Sequence, residues 1–222
     1  RILHIERDTI KMMYRSNNIL ALIPPNKDGK LILQQSLFFQ KSLGMRIFIL
    51  NIVDKPSVFK QLFSSKKLAY HKNEALSELK SFVEDSIGEE IPEYLSLRIK
   101  SGKPLKILFS QSKIGGYEFM IIDKTESPGG LSRYETDKMI SRSVCPIMTI
   151  NKDHPVNEVK KIIIPVDISQ ATSKKLLWAT YFAKKFKTKI EIVSALNINL
   201  STKNSLAWKN AEKLKYLLLK RG

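Results

Sequence analysis

The chain has 222 residues, of which 43% are hydrophobic and 27% are charged, so it can bury a core and is not intrinsically disordered. Its 38 basic and 21 acidic side chains give a net charge of +17. No apolar run reaches the ~18 residues of a membrane span, and the single cysteine, Cys145, excludes a disulfide framework and fits a reducing compartment.

In residues 1–17 charged and apolar positions alternate at a roughly helical period, which predicts a short lead-in helix or a link to something upstream. Short apolar runs that are typical of buried strands then alternate with amphipathic helical patterns. This alternation favours a mainly parallel sheet covered on both faces, and right-handed crossovers make it a doubly wound α/β fold. Strands are predicted over 18–24, 45–53, 94–99, 117–122 and 146–150, and helices over 30–43, 66–87, 104–111 and 132–143.

A polar linker over residues 152–158 separates this first domain, 18–151, from a second pattern of the same kind. Strands are predicted over 159–166 and 189–196, each followed by a helix, over 169–186 and 205–220. A repeat of this length predicts a tandem of two similar domains.

The two predicted domains align at nearly one offset along the sequence. Asn18–Pro25 matches Lys160–Asp167 at an offset of about 142, whereas Leu43 and Ile47 match their counterparts at 143. The second copy, 159–222, contains only two strands and two helices. Because half a sheet leaves an unpaired edge, we expect the natural chain to continue, or the first domain or another chain to complete this copy.

The positive charge is concentrated in the second part of the chain. Residues 154–222 carry 14 basic and 4 acidic side chains, against 24 and 17 in residues 1–153. Such a surface either attracts a polyanion or is simply a solvated, lysine-rich exterior. The lysines are not interleaved with aromatic residues, and no zinc-ligand spacing or RNA-binding signature is present, so we expect no nucleic-acid partner.

Two short segments carry a resemblance to a known family. Ile162–Asp167 (IIIPVD) opens a domain, and Cys145–Ile150 (CPIMTI) follows a final helix; with the order of elements, they resemble the universal stress protein family. The resemblance covers residues 18–151 as a whole domain and 159–222 as the first part of a second. It implies an adenine-nucleotide alpha-hydrolase-like fold with a five-stranded parallel sheet of order 3-2-1-4-5. It also implies a homodimer through the last strand or an equivalent pairing of tandem domains, and, in some members, bound ATP.

The resemblance also indicates where a nucleotide would bind. ATP-binding members carry an Asp after the first strand, a Gly-x-x-Gly loop after the fourth, and a Gly-Ser/Thr pair about nine residues later. In the first domain these positions fall on Pro25, on Asp123 and Glu126, and near Arg133–Tyr134. Two carboxylates in the phosphate loop oppose an anionic ligand, and their side chains block a close backbone approach. We therefore expect no bound cofactor in the first domain.

The remaining candidate residues leave alternatives open. Gly129 and Gly130, one or two positions out of place, form either a plain turn or part of an anion cradle, and Ser132 and Arg133 could hold a smaller anion. Val53, at the end of the second strand, is the last candidate nucleotide-binding residue of the first domain.

The second domain keeps the Asp, at Asp167, which either contacts adenine or ribose or caps the following helix. Its phosphate loop would lie beyond these residues, so ATP remains the alternative cofactor.

The sequence contains no arrangement that suggests catalysis or a metal site, and we expect a binding protein rather than an enzyme. His4, His71 and His154 lack metal-ligand spacing, and Cys145 fits a buried, inert thiol. The resemblance implies a cytoplasmic stress-response regulator that acts by dimerisation or by binding an unidentified protein partner. Two alternatives are the cytosolic regulatory tail of a membrane transporter, which the charge and the lead-in helix would suit, and an ATP-binding switch.

Overall fold

The computed structural model describes residues 17–54, 65–123, 129–151, 154–166, 172–194 and 206–220. The chain divides into two compact units, Arg1–Pro155 and Val156–Gly222. Of the predicted lead-in helix only Asn17 is described, and it is not helical. The candidate residues Glu126 and Asp167 lie outside the described residues.

The first unit contains five strands and four described helices. The strands are β1 (Asn18–Leu22), β2 (Arg46–Val53), β3 (Leu95–Ser101), β4 (Phe119–Asp123) and β5 (Ile147–Ile150). The helices are α1 (Lys27–Leu43), α2 (Ser65–Ile87), α3 (Pro104–Ile114) and α4 (Arg133–Arg142). All strand pairings are parallel, and the order is β3-β2-β1-β4-β5. The predicted doubly wound fold with order 3-2-1-4-5 is therefore confirmed.

The central strands of this sheet are buried on both faces, which explains their uninterrupted apolar sequences. Ile19, Leu20 and Ala21 of β1 are completely inaccessible to solvent. On one face, Leu20 and Leu22 belong to an apolar cluster that includes residues of both α3 and α4, among them Leu108 and Met139. Each such side chain contributes ~1.5–3 kcal/mol on transfer from water, so this packing fixes the strand ends that frame the site.

Helix α1 begins three residues before its predicted start because a polar cap precedes it. The side chain of Asn26 accepts a hydrogen bond from the backbone N–H of Gly29 at 2.9 Å. This bond satisfies one of the donors that a helix start leaves open. The helix ends at Gly44, whose φ of 68° lies in the left-handed region and whose N–H donates to the carbonyl of Gln40.

The second unit contains two parallel strands and two described helices. They are β6 (Lys161–Val166), α5 (Thr172–Phe186), β7 (Lys189–Ser194) and α6 (Leu206–Lys220). Ile164 of β6 clusters with Leu176 and Ala179 of α5, and Leu217 of α6 packs against the same cluster. Both helices therefore cover one face of the pair. Ile163 and Val193, which alternate with the buried positions, remain exposed.

The strand pairs β1–β2 and β6–β7 have the same register. Asn18 pairs with Arg46 and Lys161 with Lys189, so each residue of the second pair lies 143 positions after its counterpart. Because Ile47 of β2 matches Ile190 of β7 at an offset of 143, the equal registers give the first strands the same offset, one residue more than the predicted value of about 142. By this offset the counterpart of Asp167 is Pro24 and not Pro25.

Candidate functional site

The candidate site lies at the carboxyl end of the first sheet, between β1 and β4. These strands are neighbours, but β1 connects through α1 to β2 on one side, and β4 connects through α4 to β5 on the other. A crevice opens where the connections diverge, and it is the usual ligand position in a doubly wound sheet. The two loops and the two helix starts that follow β1 and β4 form this crevice.

The loop after β1 offers little to an anionic ligand. Pro24 and Pro25 have no backbone N–H, and the N–H of Asn26 donates to the carbonyl of Pro24 at 2.9 Å. The Asn26 side chain already accepts from Gly29 at the start of α1. A Cβ at Gly29 would lie 1.7 Å from the carbonyl oxygen of Pro24, so helix and loop are in direct contact. The loop after β1 therefore contacts and caps the start of α1.

Two candidate residues end strands that point towards this crevice. Asp123 is the last residue of β4 and pairs in register with Ile150 of β5. Its exposed fraction is only 6%, so a carboxyl group is buried where members that bind ATP carry a glycine. Val53, the last residue of β2, is half-buried and carries no polar side chain.

Gly129 brings the loop after β4 against the loop after β1. Its φ is 78°, and a Cβ at this position would lie 3.0 Å from the Cβ of Pro24. A glycine meets both requirements because it tolerates a left-handed backbone and allows the close approach. Gly130 follows in a bend and is half-buried. The two loops that would flank a ligand are therefore in contact at this point.

Ser132 and Glu135 form a reciprocal cap at the start of α4. The Ser132 hydroxyl accepts from the backbone N–H of Glu135 at 3.4 Å, while Glu135 Oε2 accepts from the backbone N–H and from the hydroxyl of Ser132, both at 3.0 Å. Arg133 is the first residue of the helix and is exposed. Glu135 was not among the predicted site residues, although the Ser-x-x-Glu spacing that signals this cap is present in the sequence.

This cap has an electrostatic consequence for the crevice. A helix start carries a partial positive charge and open N–H donors, which is why phosphates bind there. At α4 the Glu135 carboxylate already occupies a backbone donor and the hydroxyl of Ser132. An incoming phosphate would have to displace a carboxylate that is covalently tethered to the same helix.

The single cysteine is buried and the two described histidines lie at the surface, as predicted. Cys145 is buried, and burial together with the nearby Glu118 carboxylate raises the pKa of its thiol to about 12. His71 lies exposed, 3.6 Å from Glu74, and His154 is exposed. Within the described ranges no group of three His, Cys, Asp or Glu residues could hold a metal ion. None of the helices in this part of the chain is both long and apolar enough to cross a bilayer.

A polar cluster that the sequence did not indicate lies on the first sheet. The Arg98 guanidinium donates to the hydroxyl of Tyr117 at 2.5 Å and lies over the Phe48 ring, 4.0 Å from its centroid. The Tyr117 hydroxyl donates in turn to Oε1 of Gln111 at 3.3 Å. Burial raises the pKa of Tyr117, and the adjacent Arg98 opposes this shift. Each side chain of the cluster bonds to or packs on another member, so the cluster joins β3, β2 and α3.

The second unit has a cavity of about 730 Å³ at the end of α5. Its lining includes charged side chains, Lys184, Lys187, Lys215 and Glu191, and apolar ones, Ile190, Ile192 and Leu219. The carbonyl end of a helix carries a partial negative charge, which cations such as Lys184 neutralise. This end of α5 does not attract an anion as a helix start would.

Solved structures with the same fold come from universal stress proteins. A universal stress protein from Archaeoglobus fulgidus is 16% identical, with a TM-score of 0.59 over 92% of this chain and 75% of its own. A candidate universal stress protein from Pseudomonas aeruginosa, also 16% identical, has a TM-score of 0.54 over 93% of this chain and 71% of its own. No protein-family model and no curated protein matches the sequence. The resemblance predicted from the sequence is confirmed in three dimensions: this chain has the fold of the universal stress proteins.

Proposed function

We propose that this chain is a universal-stress-protein-like, cytoplasmic regulator of the stress response, and that it acts by binding and not by catalysis. Its first unit binds no nucleotide, and its output is dimerisation or recognition of a protein partner. The shared fold supports the assignment to this class. The contact between Gly129 and Pro24 and the capped start of α4, both beside the crevice between β1 and β4, support the loss of the nucleotide.

The reciprocal cap of Ser132 and Glu135 carries this proposal. A nucleotide phosphate needs the helix start that follows β4, and here the chain supplies its own carboxylate to that position. The buried Asp123 adds an acidic side chain to the same edge of the sheet, and Pro24 and Pro25 remove two backbone donors opposite. Each of these features opposes a bound phosphate.

Thermal unfolding in the presence of Mg-ATP tests the loss of the nucleotide site. A ligand at a concentration 100 times its Kd stabilises a protein by about 2.7 kcal/mol, which raises the melting temperature by several degrees. We expect no rise for the natural chain. Glu135→Ala, which frees the Ser132 donors, serves as the comparison. A rise in the natural chain that Asp123→Asn alters would place a nucleotide in the first unit and contradict the proposal.

The edge of the sheet supports dimerisation as the mode of action. In the part of the chain that the structure describes, β5 pairs with β4 alone, which leaves its other edge open. Val144, three residues before β5, is exposed, and Ile147 and Met148 of β5 are only half-buried. An open strand with exposed apolar neighbours favours pairing with a second strand.

Sedimentation velocity tests this surface. We expect a dimer for the natural chain and a monomer for Val144→Glu, because the new charge would be buried at the contact. Ile114→Glu is the matched control, since Ile114 is equally exposed but lies at the end of α3. A dimer that survives Val144→Glu, or one that Ile114→Glu also dissociates, would contradict this site of contact.

A further inference from the structure

Helix α6 presents large apolar side chains to solvent on the face opposite its packing contact. Leu217 packs against the core of the second unit, whereas Trp208, Tyr216 and Leu219 are 41%, 65% and 74% exposed. Side chains of this size and chemistry, grouped on one element, mark an interaction surface more often than a plain exterior. We call these three residues the α6 stripe.

The three members of the α6 stripe share one side of the helix, and lysines border that side. At 100° per residue, Tyr216 lies about 80° and Leu219 about 20° from Trp208, and the stripe is about 16 Å long. By the same geometry one lysine borders the stripe on one side and three border it on the other, and one acidic residue, Glu212, lies within it. All four lysines are exposed: Lys209, Lys213, Lys215 and Lys220.

We propose that the α6 stripe docks the second unit on the anionic surface of a lipid bilayer. Trp and Tyr are the residues that favour the boundary between headgroups and acyl chains, and a helix lying in that plane buries its apolar face about 5–10 Å deep. The flanking lysines then lie at the depth of the anionic headgroups. This contact is peripheral and goes beyond the proposed regulatory function.

The charge of the second unit matches this partner. Residues 154–222 carry 14 basic and 4 acidic side chains, so the whole unit, and not only α6, is attracted to a negative surface. Each lysine near an anionic membrane strengthens binding by about fivefold at physiological salt. The attraction is screened within about a Debye length, so binding should weaken as salt is raised.

The apolar members of the stripe favour a bilayer over a nucleic acid. Single strands bind in grooves where successive bases stack on aromatic rings. Here Trp208 and Tyr216 are two turns apart, too far for successive bases to stack on both rings, and the most exposed member is the aliphatic Leu219, which also borders the cavity of the second unit. An aliphatic side chain gains little from a base but much from an acyl chain.

Vesicle flotation with the full chain tests the proposal. Vesicles of phosphatidylcholine with about 30% phosphatidylglycerol should bind the chain, and vesicles of phosphatidylcholine alone should bind it at least about tenfold less. The double variant Tyr216→Ser/Leu219→Ser should lose about tenfold in affinity, and Lys209→Gln/Lys213→Gln, at about fivefold for each lysine, about 25-fold. Tyr70→Ser is the matched control, because Tyr70 is 66% exposed on a helix of the first unit.

Tryptophan fluorescence shows whether the stripe itself enters the membrane. The chain contains two tryptophans, Trp178 and Trp208. Lipids with brominated acyl chains should quench Trp208 in the Trp178→Phe variant but not Trp178 in the Trp208→Phe variant. If Trp178→Phe disturbs the packing of Trp178 on Phe182, the natural chain compared with Trp208→Phe gives the same information.

Three results would overturn the proposal. The first is the absence of binding to anionic vesicles. The second is binding that the double variant and brominated lipids leave unchanged, which would be attraction by charge alone. The third is a single-stranded oligonucleotide that binds through the stripe while vesicles do not, which would assign the α6 stripe to a nucleic acid.

Discussion

Gly44 and Lys187 occupy the same position at the ends of α1 and α5, 143 residues apart, and both have left-handed backbones, with φ values of 68° and 52°. The N–H of Gly44 donates a hydrogen bond to the carbonyl of Gln40, four positions earlier. At Lys187 the following residue, Thr188, donates to the carbonyl of Ala183, five positions earlier. Both are recognised ways of ending a helix, but only glycine adopts this φ without steric cost.

Replacing Lys187 by glycine should stabilise the second unit. The left-handed conformation costs a residue with a Cβ about 1 kcal/mol, and Lys187→Gly removes that cost. Both tryptophans lie in the second unit, so a urea titration followed by their fluorescence reports on this unit. Lys185→Gly, in the last turn of α5, is the control and should destabilise by about 1 kcal/mol. Equal effects of the two variants would contradict the structural role of Lys187.

Gly29 should tolerate no side chain. An alanine Cβ would lie 1.7 Å from the carbonyl oxygen of Pro24, so backbone must move at the start of α1. We expect Gly29→Ala to cost about 3 kcal/mol or more. The buried Cys145, in the same unit, reports its unfolding through thiol labelling in urea. Lys30→Ala, at the next and exposed position, should leave the midpoint nearly unchanged; a similar loss there would show that the contact with Pro24 is not the cause.

The Tyr117 hydroxyl should stabilise the first unit through its bonds to Arg98 and Gln111. Tyr117→Phe keeps the ring against Phe48 but removes the donor to the buried amide of Gln111, at a cost of about 1–2 kcal/mol. Thiol labelling of Cys145 in urea measures this loss. Tyr70→Phe removes an exposed hydroxyl and should have no effect. If Tyr117→Phe leaves the unfolding midpoint unchanged, the Tyr117 hydroxyl contributes nothing to the stability of the first unit.

Cys145 should be unreactive until the first unit unfolds. With a pKa of about 12, its thiolate fraction at pH 8 is on the order of 10³ lower than that of an ordinary thiol, and burial excludes the reagent as well. Ellman's reagent should therefore label the native chain far more slowly than the chain in urea. Rapid stoichiometric labelling of the native chain would contradict the buried position.

The same thiol predicts a pH dependence of stability. Its pKa is raised in the folded state, so the thiol contributes stability that is complete below the unfolded pKa, near 9, and is lost as pH rises towards 12. We expect unfolding midpoints of the natural chain to fall more steeply between pH 9 and 11 than those of Cys145→Ala. Parallel pH profiles would show that the thiol titrates normally.

Most of the fold was predictable because the central strands of the first unit are short, apolar and covered on both sides. A run such as Asn18–Leu22 has few alternatives once a helix is placed after it. The boundaries were less predictable where polar residues set them. The Asn26 cap starts α1 earlier than its apolar stripe does, and α3 continues to Ile114, an exposed residue whose position no core contact reveals.

The candidate site was predictable only in part, since its geometry depends on contacts between distant loops. The spacing of Ser132 and Glu135 is visible in the sequence, so the cap could have been found there. The approach of Gly129 to Pro24 joins loops that are more than 100 positions apart, and no local pattern encodes it. The contact of Arg98 with Tyr117 likewise requires β3 and the start of β4 to be placed first.

The position of β1 in the centre of the sheet has a consequence for synthesis of the chain. β1 can pair with β2 early, but its other edge pairs with β4, where Ile19 faces Phe119, 100 positions later. During synthesis on the ribosome, one edge of β1 therefore stays unpaired until β4 has emerged. Nascent chains that end between β2 and β4 would be the ones that chaperones must protect, and pausing there would set the yield of folded protein.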